Sequence, residues 1–201
     1  MIEYFFMKDQ KINSTNPSGQ KLNELLKYYQ SKRYLDAEKL ALSITKDFPK
    51  HIVAWKVLGI ILKKTGRINE ALLINQKSLE LEPTNIEANF NLGNTLQQLE
   101  RFEEAVLCYR KAISIKPDYI EAYNNLGATL QKIGKFEEAE SCYRKAISIK
   151  SDYTEAYNNL GLTLGAIGRF DKAMSTFIKI IEINPNLQSY LSLVVLLTIF
   201  D

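Results

Sequence analysis

Glu121-Ala-Tyr-Asn-Asn-Leu-Gly-Ala-Thr-Leu-Gln-Lys132 carries its apolar residues at helical spacing, breaks at Ile133-Gly134-Lys135, and gives way to a second helical stretch from Phe136 to Ile149. The same text returns along the chain. Glu121–Gly127 recurs unchanged as Glu155–Gly161, and Cys108-Tyr-Arg-Lys-Ala-Ile-Ser-Ile-Lys116 recurs unchanged as Cys142–Lys150, both 34 positions on. Gly59, Gly93, Gly127 and Gly161 keep that step, as do Pro49, Pro83 and Pro117, with Ser151 in the skipped slot before Pro185. Gly66, Gly134 and Gly168 hold a second phase, with Glu100 in the missing position. A fixed period of this length is the mark of stacked helical repeats.

Aligned on the period, the full repeats run 52–85, 86–119, 120–153 and 154–187, and a degenerate one, 18–51, precedes them. Each predicts a short amphipathic helix, a break, and a second helix stopped by proline or serine, since a proline ring cannot continue the backbone hydrogen-bond ladder. No useful stretch alternates with a period of two. The fold class read from this is all-α.

Composition narrows the functions. The 201 residues are 46% hydrophobic and 24% charged, as in an ordinary globular chain. A net charge of +3 is too small to advertise a nucleic-acid or anionic-membrane partner. Two cysteines and one histidine leave little material for a metal site or a His-based catalytic centre. No glycine-rich phosphate loop and no Ser/His/Asp set is present, so no catalytic residue, no metal and no cofactor is expected.

The recurring residues carry a resemblance. Trp55, Leu58, Gly59, Leu62, Gly66, Ala71 and Pro83 resemble the tetratricopeptide (TPR) signature. So do Leu92, Gly93, Ala105, Tyr109, Ala112 and Pro117, then Tyr123, Leu126, Gly127, Ala139, Tyr143 and Ala146, then Tyr157, Leu160, Gly161, Ala173, Phe177 and Pro185. The resemblance implies a right-handed α-solenoid of stacked antiparallel helix pairs, a TPR superhelix, over residues 20–187. Counting places from the first residue of each repeat, the glycine at place 8 and the alanine at place 20 are expected to hold the two helices close. The aromatics at places 4 and 24 fill the space around that contact. One pair cannot bury its apolar face alone, so neighbours stack.

In solenoids of this kind the first helices line a concave groove, through places 2, 5, 6, 9, 12 and 13. Here that assigns the groove to Asn91, Asn125 and Asn159 at place 6, Asn124 and Asn158 at place 5, and Asn94, Gln97, Gln98 and Gln131. Charge comes from Glu87, Glu121, Glu155, Lys56, Lys63 and Lys132, and Val57 interrupts the asparagines in repeat 52–85. Asparagine before Leu-Gly is similar to the asparagine ladder of the O-linked N-acetylglucosamine transferase TPR arm, which grips an extended polypeptide through its main chain. Independently of the resemblance, a carboxamide offers a donor pair and an acceptor that match a peptide unit. At about 1 kcal/mol net per hydrogen bond, three rungs give about 3 kcal/mol, roughly a hundredfold in affinity. A clamp for a terminal carboxylate needs basic residues at places 2 and 6. Glutamate and asparagine stand there, and like charge repels that ligand.

The function expected is a non-catalytic protein-interaction scaffold binding an extended polypeptide in an amide-lined groove. The alternative is the substrate-recognition arm of a larger or truncated O-GlcNAc transferase-like glycosyltransferase, or of a sulfotransferase or methyltransferase, because Leu22–Glu38 and Phe48–Gly59 resemble the opening of bacterial TPR proteins that continue into such domains. Cys108 and Cys142 are repeat-mates on stacked helices about 8–10 Å apart, beyond the ~7 Å reach of a disulfide, and are expected as reduced packing residues. That fits a cytoplasmic location. His51 is expected in a connector and Trp55 in the core. Residues 1–19 are expected as a flexible leader that is not a signal peptide, with Met1 and Met7 both standing as starts. Residues 188–201 predict an apolar terminal helix. Tyr190–Phe200 is too short for the ~20 residues of a membrane span, and offers a surface for self-association.

Overall fold

The computed structural model describes residues 16–185. Among them are ten helices and no strand, so the expected all-α solenoid of helix pairs is the fold observed. The chain divides between Ile74 and Asn75 into two compact units. The first contains α1 (Gly19–Gln30), α2 (Tyr34–Asp47), α3 (Ile52–Lys64) and the opening turns of α4 (Ile68–Leu81). The second contains the rest of α4, then α5 (Ile86–Gln98), α6 (Phe102–Ile115), α7 (Ile120–Lys132), α8 (Phe136–Ile149), α9 (Thr154–Ala166) and α10 (Phe170–Ile183).

Helix α1 starts inside the stretch expected as leader. Ser18 caps it, its hydroxyl accepting from Lys21 N–H at 3.3 Å, and Pro17 is already buried. Residues 1–15 and 186–201, which hold the rest of that leader and the expected terminal helix, lie outside the described residues.

The break within each helix pair has one cause. Place 15 is left-handed in all five repeats: Gly66, Gly134 and Gly168 at φ 74–80°, Lys32 at 57° and Glu100 at 58°. The residue after it donates its N–H back to the helix just ended, Arg101 to Leu96 O at 2.9 Å and Lys135 to Leu130 O at 2.9 Å. This is the Schellman closure, which satisfies carbonyls left open at a helix end and reverses the chain. Glycine takes that conformation without a Cβ penalty, which is why it recurs at this phase.

In the first unit α2 packs on both α1 and α3 around Leu25, Ala37, Ala41, Ile44, Leu58 and Ile61. In the second unit α5 pairs with α6, α7 with α8 and α9 with α10, and each of α6 and α8 packs on the first helix of the next pair. The place-20 alanines, Ala37, Ala71, Ala105, Ala139 and Ala173, are wholly buried. At place 8 the contact is with a ring. A Cβ on Gly93 would lie 2.8 Å from Tyr109, one on Gly127 2.7 Å from Tyr143, and one on Gly161 2.6 Å from Phe177. The glycine is an empty seat for the place-24 aromatic of its own second helix. Filling it forces the ring or the helix to move, at about 1–3 kcal/mol.

Candidate functional site

The amide residues singled out from the sequence fall on the first helices of the second unit. Asn91, Asn94 and Gln97 lie on α5, Asn124, Asn125 and Gln131 on α7, and Asn158 and Asn159 on α9. Gln98, also on α5, is exposed, but none of these eight lies in open solvent. Asn124 is 2% exposed and the others are half-buried, because each first helix stacks on the next.

The structure links four of these eight amides to one another across repeats. Asn94 Oδ1 accepts from Asn125 Nδ2 at 2.8 Å and from the Tyr109 hydroxyl at 2.8 Å. That hydroxyl also lies 3.2 Å from Gln97 Oε1. One repeat further on, Asn159 Nδ2 donates to Asn124 Oδ1 at 3.0 Å, and Asn124 Nδ2 donates to Glu155 Oε1 at 2.8 Å. The Tyr153 hydroxyl donates to the other oxygen of Glu155 at 3.1 Å, and the Tyr143 hydroxyl donates to Gln131 Oε1 at 3.3 Å. Burial holds Tyr109 and Tyr143 protonated well above the usual phenol range, so they act as fixed donors. Burial, with the Glu121 and Glu87 carboxylates, pushes Tyr119 up to about 12. The side-chain amides of Asn91 and Asn158 form no hydrogen bond with another described residue, and Val57 is buried.

Sequence reasoning missed the supports of this layer. Thr95, Thr129 and Thr163, all at place 10 and buried, donate to the backbone carbonyls of Asn91, Asn125 and Asn159 at 3.0, 2.8 and 2.8 Å. Their 34-residue spacing was the available signal. Asn75, at place 24 where repeats 86–119, 120–153 and 154–187 carry a ring, donates to Thr95 Oγ1 at 2.8 Å. At place 4, Trp55 Nε1 donates to Pro49 O at 2.9 Å and Asn89 Nδ2 to Pro83 O at 3.2 Å, so that position serves the preceding connector in two repeats. His51 directly precedes α3, with its Nδ1 buried and unpartnered.

Both thiols are free and half-buried, and burial pushes each up to about 11, so they are packed and protonated. Among the described residues no three His, Cys, Asp or Glu side chains converge on a metal position, and no helix is long and apolar enough to cross a membrane.

Repeat models match the chain in four places: TPR repeat over residues 93–134, and tetratricopeptide repeat over 75–106, 120–153 and 154–187. No curated protein sequence matches it. Among solved structures it is similar to a crystal structure of MamA, at 26% identity and TM-score 0.74, covering 79% of this chain and 93% of that one. It is also similar to MamA residues 41 to the end from Desulfovibrio magneticus RS-1, at 18% identity and TM-score 0.77, covering 84% and 98%. A third is YrrB, described as a TPR protein with an unusual peptide-binding site, at 20% identity and TM-score 0.73, covering 89% and 92%. At that identity the last two bear on the fold alone.

Proposed function

From the premise that residues 75–187 of this chain are tetratricopeptide repeats, we propose that it is a non-catalytic scaffold binding an extended polypeptide along the first-helix face of α5, α7 and α9. One observation carries this reading. The bonds between repeats use one end of the amides of Asn94, Asn125 and Asn159 and leave the other unspent, while Asn124 uses both ends. Asn125 and Asn159 donate through Nδ2 and keep their Oδ1 acceptors, while Asn94 accepts through Oδ1 and keeps its Nδ2 donors. Held by neighbours, these groups lose little rotamer freedom when a peptide unit takes the free end, which lowers the cost of binding. A main chain supplies the matching N–H and C=O groups whatever its side chains are. YrrB, described as having an unusual peptide-binding site, shares this fold. Free thiols fit a reducing, cytoplasmic setting, which belongs to this proposal. No observation here favours the transferase-arm alternative over it.

The test is selection of ligands from a random-peptide library on the full chain, followed by titration of a selected peptide into the wild type and into an Asn91→Ala, Asn125→Ala, Asn159→Ala triple variant. The expected result is a loss of affinity of about a hundredfold at unchanged helicity, about 1 kcal/mol per rung. Equal affinity for both proteins overturns the groove.

A further inference from the structure

Each first helix of the amide face sets a glutamate one turn before its place-6 asparagine: Glu87 and Asn91 on α5, Glu121 and Asn125 on α7, Glu155 and Asn159 on α9. Residues four apart share a helix face, so every rung carries a carboxylate next to a carboxamide. The pairing stops outside these helices, with Gly19 and Asn23 on α1 and Val53 and Val57 on α3. The three glutamates are exposed and the asparagines half-buried, so negative charge rims the amides.

The carboxylates form one row. Burial, with Glu121 and Glu87, keeps the Tyr119 phenol protonated, and burial, with Glu155 and Glu121, does the same for Tyr153. Each phenol thus lies within reach of two successive glutamates. Glu155 is held in place by Asn124 Nδ2 at 2.8 Å and the Tyr153 hydroxyl at 3.1 Å, both neutral donors that leave its charge unanswered. Glu121 and Glu155 form no ion pair with a described Lys or Arg. The lysines of the adjoining connectors are engaged elsewhere. Lys116 lies over the Tyr119 ring at 5.3 Å, and Lys150 lies over the Tyr153 ring at 5.8 Å and 4.0 Å from Asp152.

Charge at a regular interval selects both the charge and the conformation of what lies along it. Stacked helices stand about 8–10 Å apart. A polyproline II segment has three residues per turn and rises about 3.1 Å per residue, so side chains on one face recur at about 9 Å. A β-strand repeats its face every two residues, at about 7 Å, and drifts out of step along the row. Polyproline II also makes no internal hydrogen bonds, which leaves its backbone groups for the amide ends that Asn94, Asn125 and Asn159 keep unspent. Resting on the scaffold reading above, we propose that the polypeptide taken by this face is a basic segment in the polyproline II conformation, with Lys or Arg at every third residue set against successive glutamates of the row. The amides then grip the main chain, and the glutamates choose the sequence.

The experiment titrates three synthetic peptides of equal length into the full chain. One repeats Lys-Ala-Pro four times, one has the same composition with its lysines at every second residue, and one repeats Gln-Ala-Pro four times. Each is measured on wild type, on Glu121→Gln and on the Glu121→Gln, Glu155→Gln double variant, with helicity recorded for all. Wild type is expected to bind the Lys-Ala-Pro peptide about tenfold tighter than the glutamine peptide, at up to about fivefold per exposed ion pair, and tighter than the other lysine spacing. That preference shrinks as salt rises, and the double variant binds the Lys-Ala-Pro and Gln-Ala-Pro peptides alike. Glu121 accepts no hydrogen bond from a described residue, so a partial loss of preference in Glu121→Gln decides the matter even if the double variant is loosened at Asn124. Equal binding of lysine and glutamine peptides to wild type overturns the proposal, as does equal binding of the two lysine spacings, a preference that survives in both variants, or no binding at all. The amide groove is judged apart from these outcomes, by the library-selected peptide and the asparagine triple variant.

Discussion

Glu100 holds the left-handed turn between α5 and α6 at φ 58°, where Gly66, Gly134 and Gly168 do the same work in other repeats. A side chain in this region costs about 1–2 kcal/mol, and glycine's greater freedom in the unfolded chain returns part of that. Replacing Glu100 with Gly is therefore expected to stabilise the protein by about 0.5–1 kcal/mol, a rise in melting temperature of roughly 1–4 °C. Calorimetry of the single variant checks it, and no rise contradicts the argument. This position was legible in the sequence as a gap in a glycine phase, because a backbone requirement writes itself into residue type. The ring seated on Gly127 was legible only in part. Period and residue types announced a close contact, but which side chain fills the seat depends on the rotation of the second helix.

At the scale of the element, α4 departs from its counterparts. Places 24 and 27 are Asn75 and Ser78, where α6 carries Tyr109 and Ala112, and α8 carries Tyr143 and Ala146. Asn75 is 2% exposed and Ser78 1%, and the Asn75 Oδ1 and Ser78 Oγ atoms have no hydrogen-bond partner. A buried hydroxyl without a partner costs about 1–3 kcal/mol, so Ser78→Ala is expected to raise stability by about 1 kcal/mol, read from a urea midpoint at unchanged slope. An unchanged or lower midpoint refutes it. Helix existence and bounds were legible here because amphipathic period, turn glycine and proline stop all agree. The polar interior of α4 was not, since a serine or asparagine in a helical pattern reads equally well as a surface residue until its neighbours are placed. The threonines under α5, α7 and α9 escaped for the same reason.

For the whole molecule, the fold was legible almost entirely, since one period repeated over most of the chain constrains every repeat at once. The groove was legible as a set of residue types and not as a state. The sequence places asparagines on one face; only the structure tells that Asn94, Asn124, Asn125 and Asn159 bond across repeats and that Asn94, Asn125 and Asn159 each keep one end of the amide unspent. The central claim is that these remaining amide groups meet an extended polypeptide. It is tested most directly by following the side-chain amide resonances of the full chain while a selected peptide is added. The account predicts that Asn91, Asn125 and Asn159 shift first and furthest, with the second helices α6, α8 and α10 nearly silent. Shifts gathered on those second helices, with the three asparagines unmoved, would contradict it.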